Sequence, residues 1–149
     1  MNTVNRVKLS RAKEWQRQSI VALLQAEKLP AADLPVSLDN FLAAMQENNV
    51  IGAVGLEQYE NYGLLRSMVV NKEFRNKNIA ADLIQELERM ARTSGIDCMY
   101  LLTETAPQYF ERKGYERISR DAVPKAVQVS SEFSSVCPVS AIVMKKSLA

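Results

Sequence analysis

Two cations and two asparagines lie between an apolar run and an amphipathic segment, in the stretch Phe74-Arg75-Asn76-Lys77-Asn78-Ile79-Ala80. A loop that joins a strand to the first turn of a helix turns its N–H groups into a concavity, where the helix dipole adds about half a positive charge. The side chains of Arg75 and Lys77 add two full charges. The stretch therefore predicts a phosphate or diphosphate site, although a solvated polar loop fits the loop residues equally well.

The sequence contains no histidine. A histidine base, a histidine partner of a nucleophile and a histidine metal ligand are therefore excluded. Acid–base chemistry must use Glu, Asp, Tyr, Lys, Cys or water. Glu57 and Glu104 follow apolar runs and so are predicted at strand ends, where the clefts of α/β proteins open. Either carboxylate can take a proton directly or through water.

Composition limits the class of protein. The chain has 149 residues, of which 47% are hydrophobic, and this length predicts one domain over residues 1–149. Nineteen cations nearly balance seventeen anions, which disfavours a nucleic-acid partner. No window approaches the roughly 18 apolar residues of a membrane span, and the N-terminus lacks the apolar core of a signal peptide. Two cysteines predict reduced structural thiols and no metal site, in a cytoplasmic protein.

The elements that must position these residues follow from hydrophobic periodicity. Residues 64–70 form a nearly continuous apolar run, which predicts a central strand covered on both faces. Residues 80–94 carry the 3, 4, 7 spacing of an amphipathic helix, and residues 98–103 predict another buried strand. A strand, a helix and a second strand in this order predict a parallel pair of strands that the helix connects as a crossover. Turns at residues 48–49 and 59–63 predict hairpins, so the sheet is expected to be mixed.

The strand predicted over residues 50–56 contains two glycines. Gly52 and Gly55 indicate a bulge or a close approach of another group to the backbone. In the turn before this strand, Asn48 and Asn49 are the residues expected to tolerate a positive φ.

Glu57 and Arg66 are nearly equidistant from the turn at residues 59–63, so they are predicted to face each other across the hairpin. They form either a functional pair or a surface salt bridge worth under about 1 kcal/mol. An Arg66 that points into a cleft would suit an acidic substrate, such as an amino-acid analogue. Arg120 is a weaker candidate for that task.

Two stretches carry a resemblance to a known family. The spacing Arg-x-x-Asn-x-Ala, from Arg75 to Ala80, resembles the diphosphate loop Arg/Gln-x-x-Gly-x-Gly/Ala of the GNAT acyltransferase superfamily. Asn78 stands where that family usually has glycine, and asparagine is enriched at positive φ. The stretch from Ala106 to Tyr115 resembles the family's short helix that ends in Gly-Phe or Gly-Tyr. The resemblance covers nearly the whole chain. It implies an α/β (α+β) fold with a mostly antiparallel mixed central sheet, a parallel crossover and helices on both faces.

Residues 64–70, 100–106 and 132–141 resemble the ArsN-type arsenic-resistance N-acetyltransferases more closely. This resemblance implies acetyl-CoA as donor and a small-molecule amine as acceptor, such as an amino-acid-like toxin, in arsenic resistance or detoxification. It also implies direct attack of the amine on the thioester in a ternary complex. A homodimer is expected because GNAT proteins often dimerise.

The same resemblance implies roles for individual residues. Backbone groups of two stretches would hold the coenzyme: Met68, Val69 and Val70 for the pantetheine arm, and Arg75, Asn76, Lys77, Asn78, Ile79 and Ala80 for the diphosphate. The family's thiolate-protonating tyrosine falls at Phe110, which becomes a coenzyme contact. Its neighbour Tyr109 is the candidate acid, although adjacent helical residues point about 100° apart. Water can protonate the thiolate instead, and Tyr109 can be a packing residue.

Thr103 and Arg66 are the predicted substrate contacts, while Glu57 and Glu104 are the candidate bases. An acyl-CoA-binding module without turnover is the alternative function, because Phe110 replaces the usual tyrosine and Asn78 the usual glycine.

Overall fold

The computed structural model describes residues 7–29, 31, 34–130, 133 and 140–148. Along these residues the elements are β1 (Lys8–Arg11), α1 (Arg17–Ala26), β2 (Phe41–Gln46), β3 (Asn49–Tyr59), β4 (Tyr62–Val70), α2 (Ile79–Thr93), β5 (Cys98–Thr103), α3 (Pro107–Arg112), β6 (Glu116–Ile118), α4 (Lys125–Gln128) and β7 (Ile142–Ser147). None of the helices in these ranges is long and apolar enough to cross a bilayer.

The strands form one mixed sheet in the order β1-β2-β3-β4-β5-β7-β6. Strands β4 and β5 are parallel, with Tyr62 opposite Cys98. Strand β7 runs antiparallel to both of its neighbours, and β2 does the same. Helix α2 connects the parallel pair, as the crossover prediction required. The predicted fold class is therefore confirmed.

The chain divides into two compact units, and β3, β4 and α2 each run from one into the other. The first unit comprises Met1–Gly55 and Ser67–Leu87. On one face of its part of the sheet, Ala53 packs in a buried cluster with Ile20 and Leu24 of α1. On the other face, Gly52 lies against Leu83 of α2. Helices therefore cover both faces of this unit.

The second unit comprises Leu56–Arg66 and Glu88–Ala149. Leu64 of β4 lies in a buried cluster with Val127 of α4, and Gly63, its neighbour, faces Ile96 beyond the end of α2. The central strand is thus covered on both faces here, as predicted. A single domain over residues 1–149 stays a prediction.

Local backbone geometry corrects some predictions and confirms others. The turn between β2 and β3 falls on Glu47 and Asn48, of which Glu47 takes the positive φ of 56°, while Asn49 already belongs to β3. The expected positive φ at Asn48 or Asn49 is therefore wrong. The register between β2 and β3 shifts where Ala44 pairs with Gly52 and Met45 with Val50. This is the bulge that the glycines of β3 indicated.

The first helix and the first strand differ from the predicted bounds by a few residues. A 3-10 turn over Glu14–Gln16 precedes α1, so the regular helix is shorter than the apolar spacing over residues 12–28 predicts. The alternation of apolar and polar residues over residues 4–9 predicts the first strand there. Residues 4–6 lie outside the described part of the chain, and β1 begins at Lys8.

Replacement of Gly55 by alanine tests the close packing of β3. The new Cβ would lie 2.4 Å from the ring of Phe41, a rigid and buried side chain. We expect Gly55→Ala to lower the free energy of unfolding by about 1–3 kcal/mol, measured by urea denaturation. Gly52→Ala, three residues earlier in the same strand, is the matched control, because its Cβ would meet no atom closer than 3.2 Å. Equal losses in the two variants would contradict this account.

Candidate functional site

The loop between β4 and α2 lies in the first unit. The side chain of Asn71 accepts a hydrogen bond of 2.9 Å from the N–H of Glu73 and so caps a 3-10 turn over Lys72–Phe74. Asn76 and Asn78 then take positive φ values of 66° and 64°. The positive φ that asparagine was expected to tolerate at position 78 is thus confirmed, and the chain enters α2 at Ile79 without a glycine.

Backbone N–H groups are available in this loop. The N–H of Arg75 donates to the carbonyl of Lys72, and the next turn or cap bond along the described chain runs from Asp82 to the carbonyl of Asn78. The N–H groups between these two donors are those of residues 76–81. They belong to the left-handed positions of the loop and to the first turn of α2. Such amides bind anions readily.

Arg75 and Lys77 add positive charge beside these amides. Nη2 of Arg75 lies 2.6 Å from Oε1 of Glu27 at the end of α1, and about half of the Arg75 side chain is exposed. Lys77 is exposed. Sequence reasoning missed Glu27, because 48 residues separate it from Arg75 and no local spacing links them.

Strand β4 leads into this loop through the predicted pantetheine contacts. The side chains of Val69 and Val70 are buried, and Met68 is partly buried. Ser67, directly before them, has a φ of 58° inside the strand. Serine gives no sequence signal for this conformation, so it was not predicted.

Glu57, Tyr59 and Arg66 come together in the second unit. Nη1 of Arg66 lies 2.8 Å from Oε2 of Glu57, so the predicted pairing across the hairpin is confirmed. The surface alternative is wrong, because the Arg66 side chain is fully buried while Glu57 keeps 18% of its side-chain surface exposed. The hydroxyl of Tyr59 donates to Oε1 of Glu57 at 2.7 Å. Both carboxylate oxygens therefore accept a hydrogen bond.

Tyr59 is a residue that sequence reasoning missed. Burial and the hydrogen bond to the Glu57 carboxylate raise the pKa of Tyr59, while the charge of Arg66 and a hydrogen bond with Ser130 oppose this rise. Because the phenol stays protonated, it remains a donor to Glu57 at neutral pH. Tyr59 lies two residues beyond Glu57, on the same face of β3, and this spacing was the one available signal. Ser130 is buried and distant in sequence.

The residues after β5 lie farther along the second unit. The Thr103 hydroxyl accepts a hydrogen bond of 3.1 Å from the N–H of Ala106 and thereby stabilises the turn into α3. Glu104 is exposed on the bend that follows. These contacts give Thr103 a local structural task and leave Glu104 open to solvent. The predicted catalytic and substrate-binding roles of these residues stay predictions.

Tyr109 and Phe110 point in different directions on α3. Phe110 is buried, and its ring makes edge contacts with the rings of Tyr109 and Tyr115. Tyr109 is partly exposed and has the charged groups of Arg112 and Lys113 5.8 and 5.3 Å from its ring centre. Burial raises the pKa of Tyr109, and the charge of Arg112 opposes this rise. Tyr109 is thus a protonated phenol at neutral pH, which an acid must be.

The cysteines and the surface cavity add no further candidate to the site in the described residues. Cys98 is a free, partly buried thiol, whereas Cys137 lies outside the described residues. The ranges that the structure describes hold no cluster of three or more metal-ligating side chains. A surface cavity of about 610 Å³ in the first unit is lined by residues 11–14 and 36–39, which include none of the predicted site residues.

Comparisons with known proteins agree with this architecture. A profile of the acetyltransferase (GNAT) domain matches residues 37–117. An uncharacterised N-acetyltransferase of Chlorobaculum tepidum is 29% identical over 89 residues, which cover 59% of this chain and 57% of that protein. An amino-acid acetyltransferase of Pseudomonas fluorescens is 26% identical over 91 residues, which cover 60% of this chain and 21% of that protein.

Among solved structures, N-acetylglutamate synthase of Neisseria gonorrhoeae, complexed with coenzyme A and N-acetyl-glutamate, superposes with a TM-score of 0.82. The match covers 97% of this chain and 35% of that one, at 16% identity. At this identity the likeness shows the fold alone.

The burial of Arg66 generates a stability prediction. Arg66→Met leaves the Glu57 carboxylate without its cation, and we expect a loss of about 3 kcal/mol in the free energy of unfolding. Arg117→Met is the matched control, because it breaks an Arg–Glu pair of similar length, 2.9 Å, between side chains that are nearly half exposed. That loss should stay under about 1 kcal/mol. Urea denaturation measures the free energy of unfolding of both variants. Similar losses would show that the burial of Arg66 does not add to the stability of its ion pair.

Proposed function

The chain belongs to the acetyltransferase (GNAT) domain family, and from this premise we propose that it is an N-acetyltransferase acting on a small-molecule amine with acetyl-CoA as donor. The observation that carries the proposal is the loop before α2, in which Asn76 and Asn78 adopt the left-handed conformation that glycine usually supplies. Relatives named amino-acid acetyltransferases and a fold neighbour that holds coenzyme A support this reading.

Acetyl-CoA supplies the thioester whose acetyl group is transferred. The amides of residues 76–80 hold its diphosphate, with Arg75 and Lys77 adding charge. Backbone groups of Met68, Val69 and Val70 bind the pantetheine arm as an added strand would. The N–H of Val69, or one of the loop amides, polarises the thioester oxygen. None of these tasks needs a particular side chain, so a loop without glycine can perform them.

Glu57 is the proposed base, with Glu104 as the second candidate. Tyr59 and Arg66 hold the Glu57 carboxylate on both of its oxygens, and this fixes its orientation. For an amine that arrives as an ammonium, one N–C bond forms and the C–S bond breaks. The nitrogen loses two protons, of which one balances the leaving thiolate and the other passes to solvent. Glu57 takes a proton directly or through water.

Tyr109 is the proposed acid for the thiolate. We expect Tyr109→Phe to lower kcat about 10²-fold or more and to leave KM for acetyl-CoA nearly unchanged, because the phenol acts only as the thiolate leaves. Release of CoA thiol from acetyl-CoA across a panel of amines is the measurement, with an unchanged unfolding midpoint as the control. An unaltered kcat would assign the proton to water. A wild-type protein that binds acetyl-CoA but releases no thiol would contradict the proposed function.

That last outcome would favour the alternative, an acyl-CoA-binding module without turnover. Its supporting observation is Phe110, which is buried in the ring cluster and offers no hydroxyl where the family usually has one.

The finer assignment, an ArsN-type enzyme of arsenic resistance or detoxification, rests mainly on residues 132–141. Residue 132 and residues 134–139 of that stretch lie outside the described part of the chain. Thiol release with phosphinothricin would support this assignment. The homodimer and the cytoplasmic location stay predictions.

A further inference from the structure

In the ion pair between Glu57 on β3 and Arg66 on β4, only the negative charge of Glu57 has solvent-exposed surface. The Arg66 side chain has no exposed surface, whereas Glu57 keeps 18% of its own. A molecule that approaches this pair therefore meets the carboxylate. The guanidinium is turned inwards and already bonded to Glu57 at 2.8 Å.

The hydrogen-bonding capacity that remains on Glu57 is that of an acceptor. Each carboxylate oxygen can accept about two hydrogen bonds. Tyr59 and Arg66 provide one donor to each oxygen. An ammonium group, with three donors and no acceptor, matches the capacity that is left. A second carboxylate at the same place would meet the like charge of Glu57.

Tyr59, which donates to Glu57, has the buried Ser130 beside it and packs against apolar side chains. Tyr59 packs with Leu102 and Ile118 against a buried cluster that includes Val127 and Phe133. The charged groups of the second unit nearest to this cluster include Arg120, whose guanidinium lies 5.6 Å from the ring centre of Phe133. Arg120 is thus one cation near this cluster among the described residues.

We infer that the acceptor is a primary amine that binds Glu57 as its ammonium and carries an apolar or aromatic body without a carboxylate. The inference deepens the proposed function and rests on it. It opposes the expectation that Arg66 receives an acidic amino-acid analogue, and it equally opposes the ArsN-type assignment, whose test substrate phosphinothricin carries a carboxylate. Arg66 becomes a positioning residue, which orients the Glu57 carboxylate.

Two matched probes test the inference directly. 2-Phenylethylamine and L-phenylalanine share the amine and the ring and differ by one carboxylate, and L-glutamate adds a second carboxylate while removing the ring. We expect kcat/KM for thiol release to be at least about tenfold higher with 2-phenylethylamine than with L-phenylalanine, and lower still with L-glutamate. A preference for either amino acid overturns the inference.

A pair of charge-removing variants identifies the residue responsible. Glu57→Gln removes the proposed ammonium partner, while Glu60→Gln removes an exposed carboxylate from the turn of the same hairpin. Equilibrium binding of the two phenyl probes should lose its preference for 2-phenylethylamine in Glu57→Gln and keep it in Glu60→Gln. A preference that survives in Glu57→Gln, with the fold confirmed by circular dichroism, overturns the inference. If Glu57→Gln does not fold, the wild-type comparison decides.

Binding also separates this inference from the proposed function. A protein that releases no thiol with any amine contradicts the proposed function. In that case, calorimetric titration of the CoA-saturated protein with the same two probes decides the inference. Tighter binding of 2-phenylethylamine supports it. Tighter binding of L-phenylalanine, equal binding or no binding overturns it.

Discussion

A guanidinium with no solvent-exposed surface is the interaction on which the proposed chemistry depends. Burial of an unpaired charge is so costly that Arg66 needs an anionic partner inside β4, and Glu57 is such a partner. The pairing holds a carboxylate at a fixed place on β3, and Tyr59 holds its other oxygen. A base that is oriented in this way needs no further rearrangement to accept a proton.

The same strand continues into the residues proposed to hold the donor. Ser67, at a φ of 58°, follows Arg66 directly, and Met68, Val69 and Val70 come next. The left-handed conformation is sparsely populated inside strands, and it persists only where the surrounding structure stabilises it. Beyond the strand, Asn76 and Asn78 repeat the left-handed conformation. The side chains of asparagine make this conformation accessible without glycine, which explains how the loop keeps its shape while it departs from the usual motif.

Much of the fold was predictable because it follows from periodicity. The apolar run at residues 98–103 became β5 with the same bounds, and α2 begins one residue earlier than its spacing indicates. The Glu57–Arg66 pair was predictable because a hairpin fixes which residues face each other. The burial of Arg66 was not predictable, because it depends on packing in the second unit, as the buried position of Ser130 does.

Other features were missed for identifiable physical reasons. Glu47 takes the positive φ that asparagine was expected to take, because the register of β3 draws Asn49 into the strand. The contact between Arg75 and Glu27 joins elements that are far apart in sequence. The conformation of Ser67 has no residue-type signal. In each case the tertiary context overrides a local preference.

The central claim is that the left-handed turn at Asn78 forms the diphosphate site of acetyl-CoA. Isothermal titration of acetyl-CoA into the wild-type protein, Asn78→Gly and Asn78→Val tests it most directly. We expect binding to the wild type, equal or tighter binding to Asn78→Gly, and binding to Asn78→Val that is about tenfold weaker, because this conformation costs a β-branched residue about 1–2 kcal/mol. Equal affinities of wild type and Asn78→Val, or no binding to the wild type, would contradict it.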